Sequence, residues 1–192
     1  MPLTIGNKPE ADFTEPLRLL SDCHRRIERF LGVLAAVAHE ARDISLNPDE
    51  RLALTTSLRY FKQAAPKHTL DEEDSLFPRL VASKDRRARS VFGSLRELCT
   101  GHDVAEALHA QVETLVERWL SDGSLCNDDR DRLKETLTAL AEFYQGHIAI
   151  EERQIFPLAA VALTAAEIQA IGSEMAERRG VVLETRSSVT QE

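Results

Sequence analysis

The chain has 192 residues, 43% of them apolar, which is enough for one domain with a buried core. Its formal charge is −8, and the 24 lysines and arginines are scattered, so the composition argues against nucleic acid and against anionic lipid as partners. No apolar run approaches the roughly 20 residues that cross a bilayer, and the first residues lack the features of a signal peptide. We therefore expect a cytoplasmic protein with one domain over residues 1–180 and a polar tail over 181–192.

The three cysteines are Cys23, Cys99 and Cys126, and no two of them form a C-x-x-C pair. This odd number fits neither a disulfide framework nor a thiolate zinc site. We expect reduced thiols that are mostly buried.

Four long stretches of the chain carry apolar residues at spacings of three and four, as amphipathic helices do. The first helix is expected to begin near Pro16, and the second after the cap signature Asn47–Glu50. Pro66 predicts a kink in the second helix, one turn before His68, and Pro78 and Pro157 are expected to end the second and fourth helices.

The second half of the chain predicts the remaining helices. The stretch SKDRRARSVFGS indicates a connection or a short helical piece before the third helix, and SDGSLCNDD indicates the turn before the fourth. Thr164 and Glu167 predict the cap of a short fifth helix that ends near Gly180. The whole pattern predicts an all-α protein, an antiparallel up-and-down four-helix bundle with a short C-terminal fifth helix.

Histidines and glutamates occupy positions on the apolar faces of all four long helices. Counted from the turns near residues 45 and 125, four histidines lie 21 to 23 residues away and so share one layer of an antiparallel bundle. The spacing H-x-x-x-E places a glutamate one turn beyond two of these histidines, on the same face. Six side chains thus converge on the interior: His24, His68, Glu72, His102, His147 and Glu151.

Such a cluster of imidazoles and carboxylates costs several kcal/mol of desolvation unless it is compensated. A pair of divalent metal ions is the natural compensation, because carboxylates on facing helices can bridge two metals. Imidazole and carboxylate without thiolate suit iron or manganese, whereas tetrahedral zinc usually takes fewer ligands and often cysteine.

The sequence around these residues resembles a known family. Single histidines on helices one and three, H-x-x-x-E-E-x-x-L-F-P from His68 and H-x-x-x-E-E-x-x-I-F-P from His147 are similar to the hemerythrin HHE cation-binding family over roughly residues 14–160. The resemblance implies two iron ions with an oxo or hydroxo bridge, with manganese or zinc as substitutes. It implies the six residues above as metal ligands, with Glu72 and Glu151 bridging the ions. Glu73 and Glu152 are then candidates for supporting or surface positions.

The implied function is binding or sensing of oxygen, nitric oxide or peroxide at a di-iron centre. An enzyme that consumes peroxide or nitric oxide at the same centre is one alternative, and a metal-free helical interaction module is another. Helix three lacks the H-x-x-x-H pair of oxygen-carrying hemerythrins, and helix four has H-x-x-x-E in place of their longer His-to-Asp spacing. Reversible oxygen carriage is therefore not implied. No nucleophile elbow or phosphate loop indicates a reaction class.

Two further inward-facing residues lie near the proposed layer. Tyr144 is one turn before His147, where it either donates to a metal-bound oxygen species, ligates a metal, or has its hydroxyl satisfied elsewhere. His109 lies seven residues after His102, about 10 Å along the helix, so the two cannot belong to one layer. The count from the turn favours His102 as the ligand.

Overall fold

Helices make up nearly all of the computed structural model, which describes residues 11–40 and 45–183. The α-helices are α1 Pro16–Glu40, α2 Pro48–Gln63, α3 Ala65–Leu70, α4 Phe77–Ala82, α5 Phe92–Asp122, α6 Asn127–Ile150, α7 Phe156–Ala162 and α8 Ala165–Arg178. Two π-helical turns, Asp71–Leu76 and Glu151–Ile155, join α3 to α4 and α6 to α7, and the 3₁₀ helix Arg86–Val91 precedes α5. Within the described ranges the only β pairing is a single bridge between Ser45 and Ser124. The predicted all-α class is confirmed.

The helix starts follow from local chemistry. At α2 the Asn47 side chain accepts from the Glu50 amide at 2.9 Å, and the Glu50 carboxylate accepts from the Asn47 amide at 2.8 Å. Thr164 and Glu167 form the same reciprocal cap at α8. These caps satisfy amides that have no partner inside the helix, and both lie where the sequence predicts them.

Pro66 interrupts the second long helix as expected. α2 ends at Gln63 and α3 begins at Ala65, one turn before His68. A proline lacks the amide hydrogen that would continue the helical bonding. The break therefore separates α2, which packs near the turns, from the short helix α3, which carries His68.

Pro78 and Pro157 do not end their helices, contrary to expectation. Each lies in the first turn of a new α-helical segment, directly after a π-helical turn. In these turns the amide before the proline donates to the carbonyl five residues back, from Phe77 to Glu72 and from Phe156 to Glu151. The wider turn keeps the proline ring away from the carbonyl with which it would clash in an α-helix, so the chain stays helical.

The long helices enclose two apolar clusters with a polar layer between them. α1 packs against α2 and α6, and α5 packs against the same two helices. One cluster, around Leu34 and Trp119, lies toward the turns that meet at the Ser45–Ser124 bridge. The other, around Leu20 and Ile155, lies toward α8. The arrangement is a helical bundle whose core changes from apolar to polar and back along its length.

α8 covers the end of the bundle formed by the second cluster. It packs against α1 and against the π-helical turn Asp71–Leu76. A Cβ atom placed on the buried Gly172 would collide with the backbone oxygen of Phe13. Only glycine allows this close approach of the N-terminal turn to α8.

Among the described residues, no helix is both long enough and apolar enough to span a membrane. Residues 181–183 have no regular structure, and the rest of the expected tail, residues 184–192, lies outside the described residues. The boundary at residue 180 stays a prediction.

Replacing Gly172 with alanine should destabilise the protein by about 1–3 kcal/mol, because the methyl group overpacks a contact with backbone that cannot rotate away. Gly32→Ala is the matched control, since Gly32 lies within α1 and an added Cβ there meets nothing within 4 Å. Urea unfolding measures both. Equal effects of the two substitutions would show that the Gly172 contact does not hold α8 in place.

Candidate metal centre

The polar layer of the bundle consists of the six side chains singled out in the sequence. They form two groups, one with His24 and His68 and the other with His102 and His147, and the ligand-type atoms of each group lie within 4.8 Å of one another. Glu72 and Glu151 belong to both groups. Five of the six residues are buried and His102 is half-buried.

The two glutamates divide their oxygens between the two histidine pairs. Glu72 places Oε1 3.8 Å from His24 Nε2 and 3.4 Å from His68 Nε2, and places Oε2 3.4 Å from His102 Nε2. The same division is seen at Glu151, with Oε2 3.1 Å from His24 Nε2 and Oε1 3.0 Å from His147 Nε2. Each histidine pair thus faces one oxygen from each carboxylate, the arrangement expected of two carboxylates that bridge two cations.

Secondary structure explains why these side chains meet. His68 and His147 lie one turn before Glu72 and Glu151, so each pair shares a helix face. Each glutamate is at or near the start of a π-helical turn. Single π-helical turns are often found at functional sites, where they change the direction of a side chain.

The rest of the repeated motif supports the histidines of the neighbouring helix. Glu152 Oε1 lies 2.9 Å from Nδ1 of His24, and Glu73 Oε1 lies 2.8 Å from Nδ1 of His102. A carboxylate on Nδ1 directs Nε2 of the same ring toward a metal and makes it more basic. Phenylalanine rings lie parallel to the same two imidazoles, Phe156 with His24 at a centroid distance of 5.4 Å and Phe77 with His102 at 6.5 Å.

The residues present fit a cation, as a comparison of buried carboxylates shows. Asp71 is fully buried, and Arg178 and Arg179 neutralise it with contacts of 3.0 and 2.6 Å. Glu72 and Glu151 are equally buried, yet among the described residues none of their four oxygens has a donor in hydrogen-bond geometry. Buried charges in proteins are paired or bind metals, so this site requires positive charge.

Comparison with known proteins agrees with this geometry. Residues 15–159 match the hemerythrin HHE cation binding domain. The chain belongs to the hemerythrin HHE family. A Haemophilus influenzae protein described as uncharacterized is 28% identical over 176 residues, which cover 89% of this chain and 94% of that protein. Family membership implies that this hemerythrin-family protein binds a metal cation.

Protons on two histidines compensate the carboxylates when no metal is bound. Burial lowers the pKa of His24, but the carboxylates of Glu151, Glu152 and Glu72 outweigh it and raise the pKa to about 12. Burial alone would also lower the pKa of His102, but the carboxylates of Glu72 and Glu73 outweigh it and raise the pKa to about 9.

Two members of the layer have lowered pKa values. Burial lowers the pKa of His68. Although burial would raise the pKa of Glu72, the surrounding imidazoles hold it well below its usual range. A metal held by His24 and His102 would therefore displace a proton from each ring.

Several other histidines and glutamates of α1 and α5 lie outside the two groups. His109 contacts Tyr144 instead of the carboxylates, with 2.9 Å between Nε2 and the phenolic oxygen. Glu106 is exposed, as are Glu28 and His39. The sequence leaves the role of Glu73 and Glu152 open. The signal for a shared role is that they occupy the same position in the two copies of the motif.

The cysteines do not contribute to either group. Cys23 is buried, Cys99 is half-buried and Cys126 is exposed, and all three are free. The expectation of mostly buried thiols is therefore wrong for Cys126, which directly precedes α6 at the surface.

The metal-free protein should lose stability as the pH rises from about 6.5 to about 9. The pKa of His102 is raised from 6.5 to about 9, so its proton stabilises the folded state fully below pH 6.5, and this stabilisation is lost as the pH passes the folded value. Urea unfolding with and without metal tests this, and the metal-loaded protein should show a weaker dependence.

His102→Gln should remove part of this pH dependence. His109→Gln is the control, because burial lowers the pKa of His109 to about 4 and the ring is already neutral in this range. A metal-free protein whose stability is constant between pH 6.5 and 9 would show that the pKa of His102 is not raised in the folded state.

Proposed function

We propose that this protein is a metal-binding protein with a non-haem di-iron centre that binds or senses oxygen, nitric oxide or peroxide. The proposed ligands are six side chains: His24, His68, Glu72, His102, His147 and Glu151. The observation that carries the proposal is the division of each buried carboxylate between two histidine pairs.

The donor set supports iron or manganese over a structural zinc site. Each histidine pair with one oxygen from each glutamate offers four protein atoms, without a thiolate. Imidazole and carboxylate without thiolate suit iron and manganese, whereas structural zinc sites often include cysteine. We keep manganese and zinc as substitutes for iron at the same site.

Four protein atoms per ion leave positions of an octahedral iron free for a small ligand such as oxygen, nitric oxide or peroxide. The surrounding residues hold two of the proposed ligands in position. Glu73 and Glu152 fix the orientation of His102 and His24, and the rings of Phe77 and Phe156 cover these histidines from the side of α8.

We also propose that the long helices run up, down, up and down as an antiparallel four-helix bundle. α1 and α5 each pack against α2 and α6, and the turn residues Ser45 and Ser124 pair with each other. In this arrangement the four histidines, similarly distant from these turns, fall in one layer.

Anaerobic loading with ferrous iron, followed by metal analysis and visible spectra before and after oxygen, azide and nitric oxide, tests the function. We expect about two ions per chain and spectra that change with each ligand. Rapid, repeated consumption of peroxide would instead identify an enzyme. Failure to bind metal would contradict both the binding or sensing function and the enzyme, and would leave the metal-free helical interaction module as the remaining hypothesis.

Glu72→Ala and Glu151→Ala should each lower the iron content and remove the stabilisation by metal, because each removes one oxygen from both histidine pairs. For the wild type, free metal at a hundredfold excess over Kd adds about 2.7 kcal/mol to stability. Glu106→Ala is the control, since Glu106 is exposed and belongs to neither group. Iron content equal to the control in both variants would show that these glutamates are not ligands.

A further inference from the structure

A cavity of about 680 Å³ adjoins the proposed metal layer. All four histidines of the layer line it, together with Ile27, Phe61 and Ala105. These three apolar residues belong to the cluster toward the turns. Neither Phe77 nor Phe156 lines the cavity, since both pack in the opposite cluster. This cavity therefore gives a small ligand a route to the metal layer from the side of the turns.

Two polar residues, His109 and Tyr144, face each other in the wall of this cavity. Nε2 of His109 lies 2.9 Å from the phenolic oxygen of Tyr144. Burial lowers the pKa of His109 to about 4, so its ring is neutral near pH 7 and carries one proton. When that proton is on Nε2, the imidazole donates to the phenolic oxygen, and Tyr144 keeps its own proton for another acceptor.

The pair exists in only one half of the duplicated sequence. Aligning the two copies places Leu31 opposite His109 and Ala65 opposite Tyr144. Tyr144 precedes His147 by three residues, about 4.5 Å along the helix. The two proposed metal positions therefore differ, and the polar pair is carried by the helices of the half with His102 and His147.

A purely structural role explains the pair less well. The equivalent positions Leu31 and Ala65 are apolar and pack with the same cluster, so the bundle does not need a hydrogen bond at this level. A phenol and a neutral imidazole in the wall of a cavity that reaches the proposed ligands are instead placed to interact with its contents.

We propose that Tyr144 and His109 form a hydrogen-bonding subsite for the small ligand, which favours ligands that accept a hydrogen bond, the oxygen and peroxide class, over nitric oxide. The inference rests on the proposed metal centre and adds to it a selectivity among small ligands. Tyr144 supplies the donor, and His109 holds the phenol in place.

Azide and nitric oxide are the two probes, because azide accepts hydrogen bonds well and nitric oxide does so weakly. Azide affinity is measured by visible titration of the oxidised iron-loaded protein, and nitric oxide affinity by anaerobic titration of the ferrous protein. Tyr144→Phe should weaken azide three- to tenfold, about the loss of one hydrogen bond, and change nitric oxide less than twofold. His109→Leu, the residue of the other half, should act in the same direction.

Tyr60→Phe is the matched control. Tyr60 is the other tyrosine of the chain, its hydroxyl donates to the backbone oxygen of Cys23, and it does not line the cavity. The control should leave both affinities unchanged.

Metal content separates the possible failures. Full iron content with azide affinity equal to that of Tyr60→Phe would overturn the subsite and leave the di-iron centre intact. Equal weakening of azide and nitric oxide, or loss of iron in Tyr144→Phe, would also overturn it, because the tyrosine would then support the centre and not select the ligand. A wild-type protein without iron would defeat the subsite and the proposed function together.

Discussion

Two buried carboxylates, whose oxygens meet no donor in hydrogen-bond geometry among the described residues, are the constraint on which the rest of this structure depends. Glu72 and Glu151 are fully buried between histidines, whereas the neighbouring Asp71 is neutralised by two arginines of α8. Leaving such groups uncompensated costs several kcal/mol each, so a protein keeps them only with a cation or with protons nearby. The raised pKa values of His24 and His102 show how protons fill this role without metal.

The duplicated motif explains how a short sequence builds the proposed site for two ions. Its histidine and first glutamate face the interior, while its second glutamate and its phenylalanine support a histidine on the next helix. Glu73 and Phe77 act on His102, and Glu152 and Phe156 act on His24. Because both copies contribute a carboxylate to both histidine pairs, neither half is complete without the other.

The sequence alone predicts the all-α class, the break at Pro66 and the layer of six residues, because helical periodicity and distance from the turns determine face and height. It also separates His102 from His109 by height. It does not predict the π-helical turns, since Pro78 and Pro157 indicate helix ends under ordinary α-helical geometry. The hydrogen bond between His109 and Tyr144 depends on packing between two helices, which periodicity along one helix cannot supply.

The measurement that tests the central claim most directly is anomalous diffraction at the iron edge from crystals of the anaerobically loaded protein. The account predicts two iron peaks about 3.5–4 Å apart, one beside His24 and His68 and the other beside His102 and His147, with Glu72 and Glu151 between them. A single peak, or iron bound elsewhere while Glu72 and Glu151 are paired with protein donors, would contradict it.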